Sequence, residues 1–316
     1  MLRLALRKFL ILIPVVFIVS VLTFLLLNLL PGNPVYLILG PGATPKGVAE
    51  LTRHLHLNRP IYDRYADWLW AALHGNFGQS YLNREPASTL IGQALPVTLE
   101  LLLISQIIAL ALAIPAGVYS ARRPGGWMDQ GASTFAFGML AIPAFMLGVL
   151  MVGLFAVHWH LFPASGYTHL TANFGRNIRS LFLPALTLGL GSLAVYVRLL
   201  RSDMIATLQQ DFITVARSKG LHPRYVLWHH AFRPSMFSLV TVVGLNVGAL
   251  IGGAFLVEVI FGIPGIGSLT LQSIYQRDYL VVQACVLIIS VGYVFVNFLV
   301  DLLYPFLDPR VRRGIA

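Results

Sequence analysis

Histidine, serine, lysine and carboxylate side chains are the groups of this chain that could do chemistry, and their spacing removes most of the options. His158-Trp159-His160 and His169 offer imidazoles to a metal, but histidines at i and i+2 converge on one ion only along a strand. Trp159 between them fits an aromatic belt at a membrane surface, and that reading is preferred. Ser165-Gly166 with His169 pairs a hydroxyl with a base. An intramembrane hydrolase needs both buried on facing helices beside an oxyanion site, and this loop has no Gly-x-Ser-x-Gly elbow. Phosphate handling fares no better. A Walker loop places its lysine between glycine and Ser or Thr so that it reaches the β- and γ-phosphates, whereas Lys8, Lys46 and Lys219 follow Arg7, Pro45 and Ser218. Cys285 is the single cysteine, which excludes an intramolecular disulfide and multi-cysteine metal patterns. The chain is expected to hold no catalytic centre, cofactor or metal. If ATP drives it, ATP and Mg sit on another subunit.

The elements that must position the remaining polar groups are apolar. Apolar residues make up 57% of the 316 and charged ones 11%, against roughly 25% charged in a soluble domain. Runs reaching the roughly 20 residues that cross hydrocarbon predict an all-α polytopic membrane protein with six spans, near 9–30, 96–118, 130–157, 181–200, 237–260 and 281–304. Six spans put both termini on one side. Of the 22 Lys and Arg, fourteen fall on the side of the termini: Arg3, Arg7 and Lys8, Arg122 and Arg123, six between Arg198 and Arg233, and Arg310, Arg312 and Arg313. Of the other eight, five lie in segment 31–95, where length weakens the charge rule. Both termini and the loop 202–234 are therefore assigned to the cytoplasm. The net charge of +10 is accounted for by this asymmetry and by anionic membrane lipid, so no nucleic-acid partner is needed. The basic N-terminus imitates a signal peptide, but its apolar run is too long and Leu29-Leu30-Pro31-Gly32-Asn33-Pro34 offers no cleavage site, so it is read as a retained first span.

Segment 31–95 reads as a small external helical cap. Thr44 with Pro45 caps and opens a helix running to Leu55, and Asn58 with Pro60 repeats the signal before a helix carrying Tyr62, Tyr65, Trp68 and Trp70. Gly75-Asn76-Phe77-Gly78 breaks the chain, and Pro96 opens the second span. This divides the protein into 1–95, first span plus external segment, and 96–316, the remaining transmembrane domain with its cytoplasmic loop 202–234. In that loop Met204, Ile205, Leu208, Phe212, Val215 and Ala216 form the stripe of one amphipathic helix from Ser202. Gly220 ends it, Pro223 stops continuation, and Tyr225 to Phe232 makes a second short helix before Arg233-Pro234 enters the next span. Arg217 and Lys219 flank the turn, a handle by which an engine outside the pore can move it.

Within the spans, Gly244, Gly248 and Gly252 have the spacing of a close helix crossing, inside the subunit or between subunits. Asn246 and Gln106 either line a path or are satisfied by an interhelical hydrogen bond. Glu100 is placed in the first turn of the second span, where the helix dipole favours an acid. Glu258 precedes Phe261-Gly262-Ile263-Pro264-Gly265-Ile266-Gly267 at the outer end of the fifth span. Glycine and proline there permit re-entry of the chain with Phe261 as a plug, or a simple interfacial turn. Glu258, Phe261, Pro264 and Asn246 are the gate and pore candidates.

Val215-Ala216-Arg217-Ser218-Lys219-Gly220, followed by His230-Ala231-Phe232-Arg233, resembles the EAA loop of binding-protein-dependent ABC importer permeases. Leu30-Pro31-Gly32-Asn33-Pro34, Gly75-Asn76-Phe77-Gly78-Gln79-Ser80, Leu95-Pro96-Val97-Thr98-Leu99-Glu100, Glu258 through Gly267 and Asp301 through Arg310 extend the resemblance, in order, to the first-subunit branch of the dipeptide/oligopeptide/nickel permease family. Thr214, Val215 and Arg233 depart from the general EAA pattern, which has Glu, Ala and often Pro. The resemblance implies a type I ABC importer permease fold in the bacterial cytoplasmic (inner) membrane and a peptide-like solute, with nickel, glutathione or haem as family alternatives. It implies a paralogous permease subunit, two ATPase subunits and an extracytoplasmic solute-binding protein as partners. It also assigns ATPase coupling to Ala216, Arg217, Lys219, Gly220, Leu221 and Pro223. A secondary transporter is expected to carry intramembrane charges and inverted repeats, whereas Glu100, Glu258, Arg198 and Asp301 sit near predicted span ends.

Overall fold

The computed structural model describes residues 2–29, 35, 43–54 and 58–307. The motif at Leu30 to Pro34 and the basic tail with Arg310, Arg312 and Arg313 lie outside the described residues. The regular structure among the described residues is helical, apart from an isolated bridge between Gln79 and Pro86. In chain order the helices are α1 (Leu2–Leu29), α2 (Pro45–His54), α3 (Ile61–Leu73), α4 (Ala87–Arg122), α5 (Trp127–Ala141), α6 (Ala144–His158) and α7 (Phe174–Leu208), then α8 (Asp211–Ser218), α9 (Pro223–Gly253), α10 (Phe255–Ile260), α11 (Ile266–Tyr275) and α12 (Tyr279–Leu307). α6 ends in a π-helical stretch, Val152–His158, and α9 contains another, Val226–Ala231.

Among the described residues four helices, α4, α7, α9 and α12, are long and apolar enough to cross a membrane, not the six expected. α5 and α6 meet that condition only together, and they are bent by 104°. The expected continuous third span is thus broken at Ile142-Pro143. Proline has no N–H for a helix to continue through and drives its predecessor to extended backbone; Ile142 accordingly has ψ 121°. α1 contributes a shorter apolar stretch, Leu10–Leu25.

Several boundaries differ from expectation. α4 starts at Ala87, not Pro96, because Ala87 N–H bonds Gly78 O across the preceding turn and its side chain is buried. Thr44 Oγ1 does cap α2, accepting from Gly47 N–H at 3.2 Å, whereas α3 has Pro60 in the cap position and no side-chain cap from Asn58. α7 opens at Asn173, whose side chain accepts Arg176 N–H at 2.9 Å, and runs on to Leu208. Met204 and Ile205 therefore belong to the span's own extension and not to a separate loop helix.

The chain falls into two compact units. One comprises 1–96 with 265–294. Here α3 lies along α1, with Ser20 and Tyr65 hydroxyls 2.7 Å apart and Phe24 against Tyr65 and Trp68. A small core gathers Ala87, Ile91, Ile266, Val281, Ala284 and Cys285, and Ser80 Oγ donates to Asp278. The other comprises 97–264 with 295–316, and α7 is its most enclosed helix. Small residues sit where its helices touch: an ideal Cβ on Gly189 would stand 2.9 Å from Ser105 O, and one on Gly244 only 2.0 Å from Val300 Cγ2. Gly244 therefore serves a crossing of α9 and α12 within the subunit.

Candidate functional site

The loop between α7 and α9 is built by two interruptions of helix. Gln210 is extended, with ψ 150°, and α8 restarts with Asp211 in its first turn, where the helix dipole favours an acid. The single amphipathic helix expected from Ser202 to Gly220 is therefore split. α8 buries Ile213 and Ala216 against its own chain and leaves Phe212 and Val215 about half exposed. Gly220, at φ +74°, donates its N–H to Arg217 O at 2.9 Å; the left-handed conformation closes the helix as a glycine terminator does. His222 Nδ1 accepts Arg224 N–H at 3.3 Å, and Pro223 takes the first position of α9. Proline here starts a helix where only a stop was expected, and the separate short helix from Tyr225 to Phe232 is the first part of α9. Its wide π-helical turn lies just before Pro234, whose ring would clash with the His230 carbonyl in a regular helix.

Of the six coupling candidates, Ala216 is buried while Arg217, Lys219, Gly220, Leu221 and Pro223 are exposed. Arg217, Leu221 and Pro223 join Arg122, Leu208, Val226 and Leu227 around a cleft of about 290 Å³. The result is an apolar notch with two guanidinium groups on its wall, beside the exposed side of α8.

A second polar cluster surrounds the turn after α10. Glu258 is fully buried, and Thr98 Oγ1 on α4 donates to its Oε1 at 2.6 Å. Its backbone carbonyl accepts Ile263 N–H at 2.8 Å, and Gly262 turns the chain at φ +61°. Phe261 is buried within its own unit, and its ring reaches to 3.4 Å from where Gly148 of α6 would carry a Cβ. Gly166 N–H donates to Phe261 O at 2.9 Å, fastening the loop after α6 to this turn. Tyr167 in that loop donates its hydroxyl to Glu100 Oε2 at 2.7 Å. Burial, then the Glu100 hydrogen bond, push the Tyr167 phenol up to about 12. Glu100 lies well inside α4, so the first-turn dipole role expected for it is replaced by this contact. Glu258, Phe261 and Pro264 share one turn, while Asn246 stands apart on α9.

Asn246 Oδ1 accepts from Ser192 Oγ at 3.5 Å, and Gln106 Oε1 from Tyr196 at 2.6 Å; each is the interhelical bond weighed as the alternative to pore lining. His158 ends α6, and Trp159 meets Phe155 edge-on. Among the described residues no three His, Cys, Asp or Glu side chains are grouped to hold a metal. Thr98, Tyr167 and Ser192 were missed as site residues. Thr98 stood within a recognised motif, but nothing local signals a partner 160 positions away.

In overall fold the chain matches one in a structure of the inward-facing MetNI methionine ABC transporter, with a TM-score of 0.57 and 17% identity over 69% of this chain and 96% of that one. The profile of the binding-protein-dependent transport system inner membrane component matches residues 113–313, and that of its N-terminal membrane component residues 1–102. A putative peptide transport system permease protein of Brucella abortus is 41% identical, covering 95% of this chain and 96% of its own. The dipeptide transport system permease protein of Escherichia coli K12 is 36% identical over 99% of both. The chain thus belongs to the binding-protein-dependent ABC importer permeases, in the dipeptide/oligopeptide/nickel branch. It is a multi-pass inner-membrane transport subunit.

Proposed function

We propose that this permease passes a peptide-like solute, received from an extracytoplasmic binding protein, through a pore it forms with a paralogous permease, driven by two ATPase subunits docked at α8. The carrying observation is the exposed turn of Arg217, Lys219, Gly220 and Leu221 at the end of α8, on a chain without a Walker lysine. An exposed apolar strip, Phe212 and Val215, next to that turn gives a rigid partner something to grip. The peptide assignment rests on the relatives, whose names specify peptide and dipeptide transport.

In this reading six spans cross the membrane: α1, the bent pair α5 and α6 as one, and the four long helices. Both termini and α8 face the cytoplasm, following the lysine and arginine distribution. Residues 1–95 supply the external segment and 96–316 the pore-forming domain. The turn carrying Glu258, Phe261 and Pro264 is the external gate. Phe261 acts through its seat against α6, and Asn246 lines the route only when its bond to Ser192 opens.

The test is charge reversal of the turn, Arg217→Glu with Lys219→Glu, in cells taking up a radiolabelled dipeptide. Uptake is expected to fall to background with the protein still in the membrane at its normal level. Wild-type uptake by that variant overturns the coupling assignment.

A further inference from the structure

We propose that Asp129 and Arg201 are positioning residues for transport, their ion pair being the strut that carries motion between α8 and the outer turn through α5; this rests on the coupling reading of α8. Arg201 lies about 10 Å along α7 from its end at Leu208, and only Gln209 and Gln210 separate Leu208 from the start of α8 at Asp211. Its guanidinium meets the carboxylate as a fork, Nη2 donating to Oδ2 at 2.8 Å and Nε to Oδ1. Asp129 is 4% exposed and stands in the first turn of α5. Its Oδ2 also accepts Gly125 N–H at 2.7 Å, while Gln130 Nε2 donates to Gly125 O at 3.0 Å. One carboxylate therefore holds α7, the base of α5 and the turn leading into it. Further along, the Arg198 guanidinium lies 5.0 Å over the Phe137 ring, a second tie between the same two helices.

A two-bond fork fixes rotation as well as separation; the Asp129 end is buried, while the Arg201 side chain stays about one-third exposed. α7 and α5 are thereby joined near the cytoplasmic loop as one lever. α5 leads to the sharp bend at Ile142-Pro143, beyond which α6 carries Gly148 against the Phe261 ring. The path is continuous from α8 through the end of α7, the Arg201–Asp129 fork, α5, the bend and α6 to the outer turn. A strut that carries displacement inward from the outer turn is the same one that carries it outward from α8, so docking outside should reach the ATPase subunits by this path.

The readout is ATP hydrolysis by the whole complex in nanodiscs, with and without its binding protein purified carrying its native solute. Arg201→Lys keeps the charge but loses the fork, and Asp129→Asn keeps the shape. Both are expected to leave basal hydrolysis and the amount of assembled complex unchanged while lowering the stimulated-to-basal ratio about tenfold. The exchange Asp129→Arg with Arg201→Asp should move the ratio back toward wild type. An unchanged ratio in both single variants overturns the strut, as does a fall that only tracks loss of assembled complex. The reversal Arg217→Glu with Lys219→Glu is measured alongside. If it abolishes stimulation while the strut variants do not move the ratio, the strut alone fails; if it too leaves stimulation intact, the coupling reading falls.

Discussion

At the scale of single residues, the most consequential contact is between Thr98 and Glu258. A fully buried carboxyl group keeps its place only while its hydrogen bonds do, and the Thr98 hydroxyl supplies one at 2.6 Å. Thr98→Val removes that donor without changing shape and is expected to cost about 1–3 kcal/mol, read as a lower melting temperature of the purified protein, while Thr98→Ser stays near wild type. Phe261→Ala separates two roles. Emptying its site against Gly148 should lower stability by about 3–5 kcal/mol, and the proposed gate adds raised basal ATPase activity or solute leak. Lower stability with unchanged permeability and basal hydrolysis would leave Phe261 a packing residue. The sequence marked Glu258 and Phe261 through the glycine and proline beside them. It could not mark Thr98 as the partner, because a hydroxyl on an apolar helix looks the same whether it meets a carboxylate or its own backbone.

At the scale of elements, helix crossings set tolerance to substitution. A Cβ on Gly244 would fall 2.0 Å from Val300 Cγ2, so Gly244→Ala must push α9 and α12 apart there, an overpacking cost of about 1–3 kcal/mol. Val300→Ala in the same chain should recover most of the lost melting temperature, whereas no recovery would place the clash elsewhere. Glycine spacing in the sequence pointed to a crossing but left its partner open. The helix boundaries show the same limit. Apolar runs located α4 and α7, yet both extend beyond those runs, because backbone hydrogen bonds and a capping Asn173 decide where helices start. The stripe from Met204 to Ala216 kept one period across Gln209-Gln210, and periodicity cannot register that backbone interruption.

At the scale of the whole molecule, charge asymmetry and membership of an importer family lead to one arrangement of faces. Cysteine labels at Lys46 and Gly262 are expected to react with a membrane-impermeant maleimide from outside, and labels at Lys219 and Arg312 only after the cytoplasmic face is opened. The inverted pattern would overturn the topology while leaving the fold untouched. The proposed complex is tested by purification. A paralogous permease and two ATPase subunits should accompany the tagged chain, whereas nucleotide-independent transport by this chain alone would favour a secondary transporter.

The sequence by itself determined what depends on composition, local spacing and order along the chain. It established membrane residence from 57% apolar content, the lack of a nucleotide loop from the neighbours of three lysines, the αL terminator at Gly220, and the family from motifs in register. Only the tertiary structure decided how polar groups far apart in the chain are satisfied. It paired Thr98 with Glu258, Tyr167 with Glu100 and Asp129 with Arg201, broke the third apolar run at Ile142-Pro143, and seated Phe261 against Gly148. The reason is physical: apolar burial and helix capping act over a few residues and leave a local pattern, whereas a buried charge or hydroxyl takes whatever partner the packing of helices brings within about 3 Å.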